Sequence, residues 1–365
     1  MAGGLLALRL KMTAPTKRVL VIEAKERGSF GKTWSCHDSD LDRTPWFRSL
    51  MSKTWEGYDV FFPKRSRTLT TRYHTLFPET LHEKLKHQLG EDLRFETKVV
   101  SQTETSVTLE NGETIEAACV IDSSRALDWD AKNCGFQKFV GLHVKLDLPH
   151  GLARPLLMDA RVPQADGFRF FYVLPFSDDE LLIEDTRFSE NEKLERGEYT
   201  QEITAYATMM GWTITKTLRA EAGVLPLPLV PSISIASVRA EIGMAAGFFH
   251  VVTGYSLPDA VRTAERLAAV PNLTTATARA ALADYATERS SQQPYLHLLN
   301  RMMFRAAVPA ERFKIFERFY GLSEALIGRF YRGELTRADR VRILVGRPPV
   351  PVTSAVRCFF EGSLA

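Results

Sequence analysis

The sequence predicts an α/β protein, and three observations lead to that fold class. A helix-like stretch at residues 1–10 is followed by a short apolar strand at residues 18–24. A glycine-containing loop at residues 243–256 leads into another helix, of about fifteen residues by its apolar spacing. Between these segments, residues 168–176 and 181–186 form two apolar strand-like runs joined by a polar turn. Helices and strands on both sides of a strand-rich middle are typical of an α/β domain with an inserted sheet.

The composition argues against several other classes of protein. Charged residues make up 25% of the 365-residue chain and the net charge is only +3, which does not suit a basic nucleic-acid-binding protein. No apolar run reaches the roughly 18 residues that a membrane span needs, and the N-terminus lacks the pattern of a signal peptide. We therefore expect a cytoplasmic protein. The four cysteines lack the spacing of a zinc site, so we expect reduced thiols and no metal.

The N-terminal helix and strand have the spacing of half a nucleotide-binding unit. Glu23 follows Gly3 by 20 residues, about the separation between a dinucleotide-binding glycine motif and the carboxylate that takes the ribose hydroxyls. In such a unit the glycines let backbone N–H groups and the helix N-terminus approach a pyrophosphate. The alternative is that the strand ending at Glu23 is purely structural.

The central hairpin carries the candidate acid. The polar turn at residues 177–180 joins the two apolar runs, and the second run ends in Glu184 and Asp185. A carboxyl group beside such an apolar surface loses hydration, so its pKa rises and it becomes a proton donor near neutral pH. The alternative, from these residues alone, is that both acids end the hairpin in water.

Six sequence words, taken together, resemble the bacterial lycopene β-cyclases, and the resemblance runs from about Leu5 to Val352. Several long words in one order are a far more specific signal than one glycine motif. The words are QKFVG (137–141), LMDA (157–160), IEDT (183–186), TGYSLPDAV (253–261), LLNRMMF (298–304) and PPVPV (348–352).

The resemblance implies an FAD/NAD(P)-binding, Rossmann-like flavoprotein fold with an inserted mixed-sheet substrate domain and a helical C-terminal part. The family's enzymes turn the open ends of lycopene and related carotenoids into β-ionone rings. The implied boundaries are 1–135 and 236–270 for the two parts of the FAD-binding domain, 136–235 for the substrate domain and 271–365 for the helical C-terminal region.

The resemblance also implies the chemistry. Glu184 matches the family's catalytic glutamate and is implied to be the general acid or base, while Asp185 is implied to orient its loop. The reaction has no net redox change. Reduced FAD, with NAD(P)H as the source of electrons, is implied to stabilise a cation formed from the carotenoid.

The cofactor-binding residues that the resemblance implies lie in three segments. Gly3 matches the last glycine of the nucleotide-binding motif, whose first strand and earlier glycines would precede Met1. We expect a start set too late in preference to a chain that binds FAD poorly. The remaining residues end the strand at residues 18–24, end a later strand or open the helix after the glycine loop: Glu23, Ala24, Asp122, Thr253, Gly254, Tyr255 and Ser256. We expect Ser256 to be the N-cap of that helix, with Pro258 in its first turn; a purely structural glycine loop is the alternative.

The chain departs from the family pattern at several positions, which bear on catalytic competence more than on the fold. Within residues 31–37, only Thr33, Trp34, Ser35 and His37 carry over. Trp34 is expected to line the flavin or the substrate tunnel, with a place in the core as the alternative. The departures are Gly31, Lys32, Cys36, Arg72, Ser123–Arg125, His143 and Val251.

The C-terminal helical region is rich in arginine and aromatic residues. Residues 301–347 contain 11 Lys/Arg against 5 Asp/Glu. Such a pattern predicts an amphipathic surface resting on anionic lipid, and a water-insoluble substrate favours peripheral membrane contact. Ordinary core helices with solvated arginines are the alternative. The interleaved aromatic residues are Phe313, Phe316, Phe319, Tyr320, Phe330 and Tyr331.

Two other functions stay open on the sequence alone. One is an FAD-dependent monooxygenase or desaturase of a related fold. A desaturase moves hydride and needs no protonating carboxyl at Glu184, whereas a monooxygenase consumes NAD(P)H stoichiometrically. The other is a drifted homologue that only binds carotenoid or lipid.

Overall fold

The computed structural model describes residues 1–26, 31–41, 44–125, 129–231, 240–346 and 349–360. The helices are α1 (Ala2–Thr13), α2 (Pro45–Arg48), α3 (Pro78–Leu89), α4 (Arg196–Met209), α5 (Leu257–Ala268), α6 (Thr275–Ser290), α7 (Gln293–Arg301), α8 (Phe313–Phe319), α9 (Glu324–Arg332), α10 (Arg337–Leu344) and α11 (Val352–Phe360). The strands are β1 (Val21–Ile22), β2 (Trp34–His37), β3 (Lys53–Trp55), β4 (Tyr58–Phe62), β5 (Arg65–Leu69), β6 (Tyr73–Leu76), β7 (Leu93–Arg94), β8 (Val99–Gln102), β9 (Ser106–Leu109), β10 (Thr114–Glu116), β11 (Cys134–Leu146), β12 (Leu156–Asp159), β13 (Phe168–Pro175), β14 (Glu180–Ser189) and β15 (Ile214–Pro228).

The largest sheet has seven strands in the order β15-β11-β14-β13-β12-β4-β5. Neighbouring strands are antiparallel except β12 and β4, which are parallel. The sequence predicts a mixed sheet in this part of the chain. Strands β4 and β5 come from residues 58–69, so the N-terminal half of the chain completes the sheet formed by residues 134–228. The domain boundaries themselves stay a prediction.

The predicted central hairpin is present as β13 and β14, which pair from Phe168 with Phe188 to Pro175 with Leu181. It differs from the expectation in one respect. Strand β14 continues to Ser189, so Glu184 and Asp185 lie in the middle of a strand instead of at its end. The strand continues because the residues after Asp185 remain paired with β11 and β13.

The two faces of this sheet have different coverings, since successive side chains on a strand point to opposite sides. On one face, Phe171, Val173 and Ile183 pack against the buried side of α4. On the other face, Phe168 and Phe170 belong to a larger cluster that includes residues of the C-terminal helices. The sheet therefore separates a closed helix-covered side from a side that faces the C-terminal region.

The N-terminal region packs around α1, which contacts α3, α5 and β1. Strand β1 pairs in parallel with β7, and Asp122 and Glu241 form another parallel bridge. The strand expected at residues 18–24 is shorter than predicted, because only Val21 and Ile22 pair with β7. The helix expected at residues 1–10 is present and extends to Thr13.

Helix α5 follows the glycine loop as predicted, with 12 residues. Pro258 lies in its first turn. Ser256 occupies the N-cap position, but its hydroxyl makes no capping hydrogen bond, so the expected side-chain cap is wrong. The predicted apolar face is buried, with Val261 and Leu267 in the core between α1 and α6.

The C-terminal region is helical, as predicted, but its aromatic side chains face inward. Tyr320, Phe330 and Tyr331 are buried, and Phe313, Phe316 and Phe319 pack against the core. Arg312 is also buried and donates to the Glu190 carboxylate at 2.5 Å. The expected arginine and aromatic surface is therefore wrong for these residues, because the rings fill the space between the helices and the sheet. Arg347 and Pro348 lie outside the described residues.

Candidate active site

A cavity of about 650 Å³ lies between the seven-stranded sheet and the C-terminal helices. Its wall is mainly apolar, with a few polar side chains that converge on it, which is the usual form of a small-molecule site. The aromatic residues of the wall are Trp34, Phe139, Phe170, Tyr172, Phe188, Tyr255, Phe316, Phe319, Phe330, Tyr331 and Phe359. The ionisable residues that line it are Lys32, Tyr172, Glu184, Glu221, Tyr255, Arg318 and Tyr331.

Glu184 reaches this cavity from the middle of β14 and is buried. The Thr186 hydroxyl donates to Glu184 Oε1 at 2.7 Å. Burial raises the pKa of Glu184 to about 8, the Glu221 carboxylate adds to the rise, and the Thr186 hydrogen bond and Lys32 oppose it. A carboxyl with this pKa holds its proton at neutral pH and is able to act as an acid.

Asp185, the next residue, points to the opposite face of the sheet. Arg169 donates to both of its carboxylate oxygens at 3.0 Å, and Arg187 donates to Oδ2 at 3.0 Å. All three side chains are buried beneath α4. The geometry makes Asp185 part of a buried ion network, and the alternation of the strand separates it from the cavity.

Glu221 is a second buried carboxylate in the cavity wall, and no sequence motif predicts it. The backbone N–H and the hydroxyl of Thr33 both donate to Glu221 Oε2 at 2.9 Å. Arg219 Nη2 lies 3.5 Å from the same oxygen. Burial raises the pKa of Glu221, while the hydrogen bonds from Thr33 and the charge of Arg219 oppose the rise. One sequence signal was available: Glu221 directly precedes the apolar run 222–227.

Lys32, one of the departures from the family pattern, also lines the cavity. Its ammonium lies 4.8 Å from the centre of the Phe139 ring. Burial lowers the pKa of Lys32, and the carboxylates of Glu184 and Glu221 oppose that fall. Lys32 thus places a cation within electrostatic reach of two carboxyl groups.

A chain of hydroxyl groups runs beside Glu184. Tyr172 donates to Ser35 Oγ at 2.9 Å, and the Tyr73 hydroxyl lies 3.0 Å from those of both Tyr172 and Tyr255. Burial raises the pKa of all three phenols well above the ordinary value, so they remain neutral. Tyr172 stands directly opposite Glu184 in the sheet register.

The predicted cofactor residues Thr253, Gly254, Tyr255 and Ser256 line the same cavity, at the open first turn of α5. Gly254 has φ +70°, a backbone conformation that favours glycine, and a Cβ there would lie 2.8 Å from Leu225 Cδ1. The buried Gln137 Oε1 nearby receives no hydrogen bond from the described residues. The backbone N–H groups that the first turn of a helix leaves without partners, together with the unsatisfied Gln137 oxygen, suit a polar heterocycle bound against the helix start.

The other predicted cofactor residues meet at a separate edge, near the start of α1. A Cβ on Gly3 would lie 2.6 Å from Ser123 Oγ, so residue 123 sits directly against this helix. Glu23 and Ala24 follow β1 and are exposed. Asp122 is already engaged, because it accepts from Ser124 and from Gln102. The edge adjoins the cavity through Gly243, whose added Cβ would be 3.5 Å from Ala2 Cβ and which precedes the cavity residue Met244.

The remaining departures lie away from the cavity. Arg72 is paired with Glu56 at 2.8 Å, in contact with solvent. His143 stacks edge-on against Phe176 and lies 3.5 Å from the Glu180 carboxylate. Neither Arg72 nor His143 is among the described residues that line the cavity. Trp34 does line it, as expected for a residue of the flavin or substrate tunnel.

Known proteins are similar to this chain over nearly its whole length. A family described as "Lycopene cyclase protein" matches residues 1–357. A lycopene beta-cyclase of Pantoea ananas is 41% identical, over 98% of this chain and 95% of the relative. A lycopene beta-cyclase of Paracoccus sp. (strain N81106 / MBIC 01143) is 39% identical, over 100% of this chain and 96% of the relative.

Solved structures show the same fold at low sequence identity. A geranylgeranyl bacteriochlorophyll reductase-like protein from Thermoplasma acidophilum has a TM-score of 0.62 and 11% identity, over 99% of this chain and 96% of that one. The flavin-dependent brominase Bmp2 has a TM-score of 0.56 and 13% identity, over 91% of both chains. This likeness confirms the predicted fold class.

Proposed function

The chain belongs to the lycopene cyclase protein family, and we propose that it acts as a lycopene β-cyclase in which Glu184 is the general acid. One observation carries the assignment of Glu184. It is a carboxyl group buried in the wall of an apolar cavity, with its pKa raised to about 8. Protonating a carbon–carbon double bond needs an undissociated acid shielded from water, and Glu184 meets both conditions at neutral pH.

The reaction is an isomerisation, so its protons must balance. Glu184 donates its proton to the terminal double bond of lycopene, which leaves a tertiary carbocation. The neighbouring alkene attacks that cation and closes a six-membered ring. A proton then leaves the ring, and the Glu184 carboxylate takes it back. One closure gives γ-carotene and two give β-carotene, with no change in oxidation state.

The cavity wall protects the cation. Phe139, Tyr172 and Trp34 present aromatic surfaces around the same space as Glu184, and the faces of such rings attract positive charge. An apolar lining also keeps water from capturing the cation before the ring closes. Tyr172, as a neutral phenol opposite Glu184, adds to this wall without competing for the proton.

The same proposal includes FAD, and the residues of the chain fit it. Thr253, Gly254, Tyr255 and Ser256 would hold the ring system at the open start of α5, where Gln137 offers an unsatisfied acceptor. At the adjoining edge, Gly3, Glu23, Ala24 and Asp122 would hold the nucleotide part. When bound and reduced, with NAD(P)H as the electron source, FAD supplies negative charge close to the cation. Support for NAD(P)H comes from the family resemblance.

Pigment analysis tests the proposal. In cells that accumulate lycopene, the chain should produce β-carotene, and Glu184→Gln should retain its flavin and leave lycopene unchanged. Glu180→Gln is the matched control, because Glu180 lies on the same strand but is not among the residues lining the cavity. Cyclised product from Glu184→Gln would move the acid to another residue. Stoichiometric NAD(P)H consumption with an oxygenated product would favour the monooxygenase, and a flavin-free chain that only binds pigment would favour a carrier.

We further propose that the enzyme contacts membranes peripherally, through α10 and α11. No helix among the described residues combines the length and hydropathy of a membrane span. Six exposed apolar side chains instead lie on or beside these two helices: Val341, Val345, Val352, Val356, Phe359 and Phe360. Residues 340–360 contain four arginines and no Asp or Glu. Apolar side chains with basic neighbours fit the interface of an anionic bilayer.

This surface also adjoins the cavity. Ile343, Leu344, Val352, Val356 and Phe359, on the same two helices, line the cavity wall. A bilayer held against α10 and α11 would therefore deliver a lipid-soluble substrate directly to the cavity.

Sedimentation with liposomes tests the membrane proposal. The protein should bind vesicles containing anionic lipid more strongly than neutral ones, and binding should weaken as salt rises. The double variant Val345→Glu, Phe360→Glu should lose binding, because both side chains are exposed on this surface. The cavity should be unchanged, because neither side chain is among those lining it. Leu148→Glu, at a residue 68% exposed elsewhere on the surface, is the matched control. Equal sedimentation of both variants would contradict the assignment of this surface.

A further inference from the structure

Four residues form one row across the sheet at the cavity. Gly141 on β11 is paired with Glu184 on one side and with Glu221 on the other, and Glu184 is paired in turn with Tyr172. Residues directly opposite each other in an antiparallel sheet point to the same face. The two glutamates therefore flank a position that has no side chain.

Space, and not backbone conformation, restricts the side chain at this position. Gly141 has no positive φ, so its conformation suits any residue. An added Cβ would lie 3.2 Å from Glu221 Cγ and 3.5 Å from Glu184 Cβ. A larger residue would come between the two side chains. The absence of a side chain leaves Glu184 and Glu221 on the same face of the sheet with no residue's side chain between them, and both are buried.

The two carboxyl groups have unequal sets of donors. Glu221 accepts two hydrogen bonds from Thr33 and has Arg219 at 3.5 Å. Glu184 accepts from the hydroxyl of Thr186. Two nearby buried carboxyls do not ionise together easily, and the one with more donors keeps the negative charge. The proton of the pair therefore resides on Glu184.

On the basis of the proposed function, we propose that Glu221 is a positioning residue whose negative charge keeps Glu184 protonated, and that Lys32 limits this effect. Glu221 acts on the substrate only through Glu184. Lys32 attracts both carboxylates and favours their ionised forms. The balance between one anion and one cation sets the pH range in which Glu184 carries a proton.

The other charged and titratable groups near Glu184 have partners of their own or are neutral. Arg318, also in the cavity wall, donates to the Val345 carbonyl. Asp185, behind it in the sheet, is paired with Arg169 and Arg187. Tyr172 and Tyr255 are neutral phenols. Arg219 acts on Glu221 and is itself shared with Glu79, at 3.2 Å. Glu221 and Lys32 are therefore the two residues whose removal should change the titration of Glu184 most directly.

The test compares pH profiles of the cyclisation rate for two variants that should move in opposite directions. Glu221→Gln removes the anion, so the alkaline limb should move to lower pH by about one unit or more. Activity near pH 6 should stay close to that of the parent, and activity near pH 9 should fall about tenfold relative to it. Lys32→Met removes the cation, so the same limb should move to higher pH.

The opposite directions separate this role from a structural one, because loss of fold lowers activity at every pH in both variants. Glu180→Gln again serves as the control, with an unchanged profile expected. Unshifted alkaline limbs in both variants, or shifts in the same direction, would overturn the inference while leaving Glu184 as the acid. Retained activity in Glu184→Gln would instead overturn the proposed function.

Discussion

Glu184 and Asp185 are adjacent in β14, yet their carboxyl groups lie on opposite faces of the sheet and have opposite electrostatic surroundings. Asp185 accepts hydrogen bonds from Arg169 and Arg187 in a buried network beneath α4. Glu184 faces the cavity, where Thr186 donates to it and Glu221 repels its charge. The same kind of side chain is thus a salt-bridged structural element on one face and a protonated acid on the other. The number and charge of the surrounding donors, and not the residue type, decide which role each carboxyl takes.

The largest expected effect comes from removing the acid. Glu184→Gln should lower the cyclisation rate by about a hundredfold to ten-thousandfold, the usual cost of losing a general acid. The flavin content should remain close to that of the parent, and the melting temperature should not fall, because the amide fills the same space without a charge to bury. Initial rates of the purified enzyme, with thermal unfolding measured in parallel, check this. A parallel loss of stability would mean that Glu184 is structural, like its neighbour.

Substitution of Asp185 should lower stability and leave the chemistry intact. Asp185→Asn leaves the buried Arg169 and Arg187 with only the exposed carboxylates of Glu202 and Glu198 on α4, and breaking a buried ion pair in this way costs about 3–5 kcal/mol. Urea denaturation should show the loss as a lower midpoint. The folded fraction of the Asp185→Asn protein should still cyclise lycopene, because Asp185 does not face the cavity. A variant with full stability and no activity would reverse the comparison.

The raised pKa of Glu184 should also make stability depend on pH. The carboxyl titrates near its ordinary value of 4.5 when unfolded and at about 8 when folded. Between these values the folded state binds more protons than the unfolded state, so the free energy of unfolding should fall as pH rises from 4.5 to 8. Above that range the loss, a few kcal/mol, is complete. Denaturation of the parent and of Glu184→Gln across this range measures it, and identical curves would contradict the raised pKa.

Filling the gap in the row should have a smaller effect. Gly141→Ala places a methyl group between Glu184 and Glu221, and such overpacking typically costs about 1–3 kcal/mol. Gly197→Ala, in α4, is the matched control because an added Cβ meets nothing within 4 Å. Equal stability of the two variants, measured by urea denaturation, would show that the gap at Gly141 has no consequence for packing.

The smallest expected effect is the loss of one hydroxyl. Tyr172→Phe removes the hydrogen bonds to Ser35 and Tyr73 and should cost about 1 kcal/mol of stability. Cyclisation should slow only modestly, because the ring still covers the cavity wall. An activity loss as large as that of Glu184→Gln would instead make Tyr172 part of the proton transfer.

Local patterns made much of the site predictable. The hairpin could be predicted because its turn, Ser177–Glu180, lies between two apolar runs, and Glu184 follows the second run directly. The helix α5 could be predicted from its apolar spacing and from Pro258. In each case the signal lies within about twenty residues, where strand and helix periodicity determine which side chains share a face.

The rest depends on distant contacts. Glu221 approaches Glu184 only because β15 pairs with the far side of β11, and Lys32 enters the cavity from the segment before β2. Interleaved arginine and aromatic residues have the same periodicity whether the rings face lipid or a core. The inward direction of Phe330 and Tyr331 therefore could not be read from the helical pattern.

Infrared spectroscopy of the substrate-free enzyme tests the central claim most directly. A protonated carboxyl group has a C=O stretching band distinct from that of a carboxylate. At about pH 7.5, between the pKa of about 6 for the buried Asp40 and that of about 8 for Glu184, the parent should show this band and Glu184→Gln should lack it. The band should disappear as the pH passes 8. A parent spectrum without the band at pH 7.5, or a band that persists in Glu184→Gln, would contradict the account.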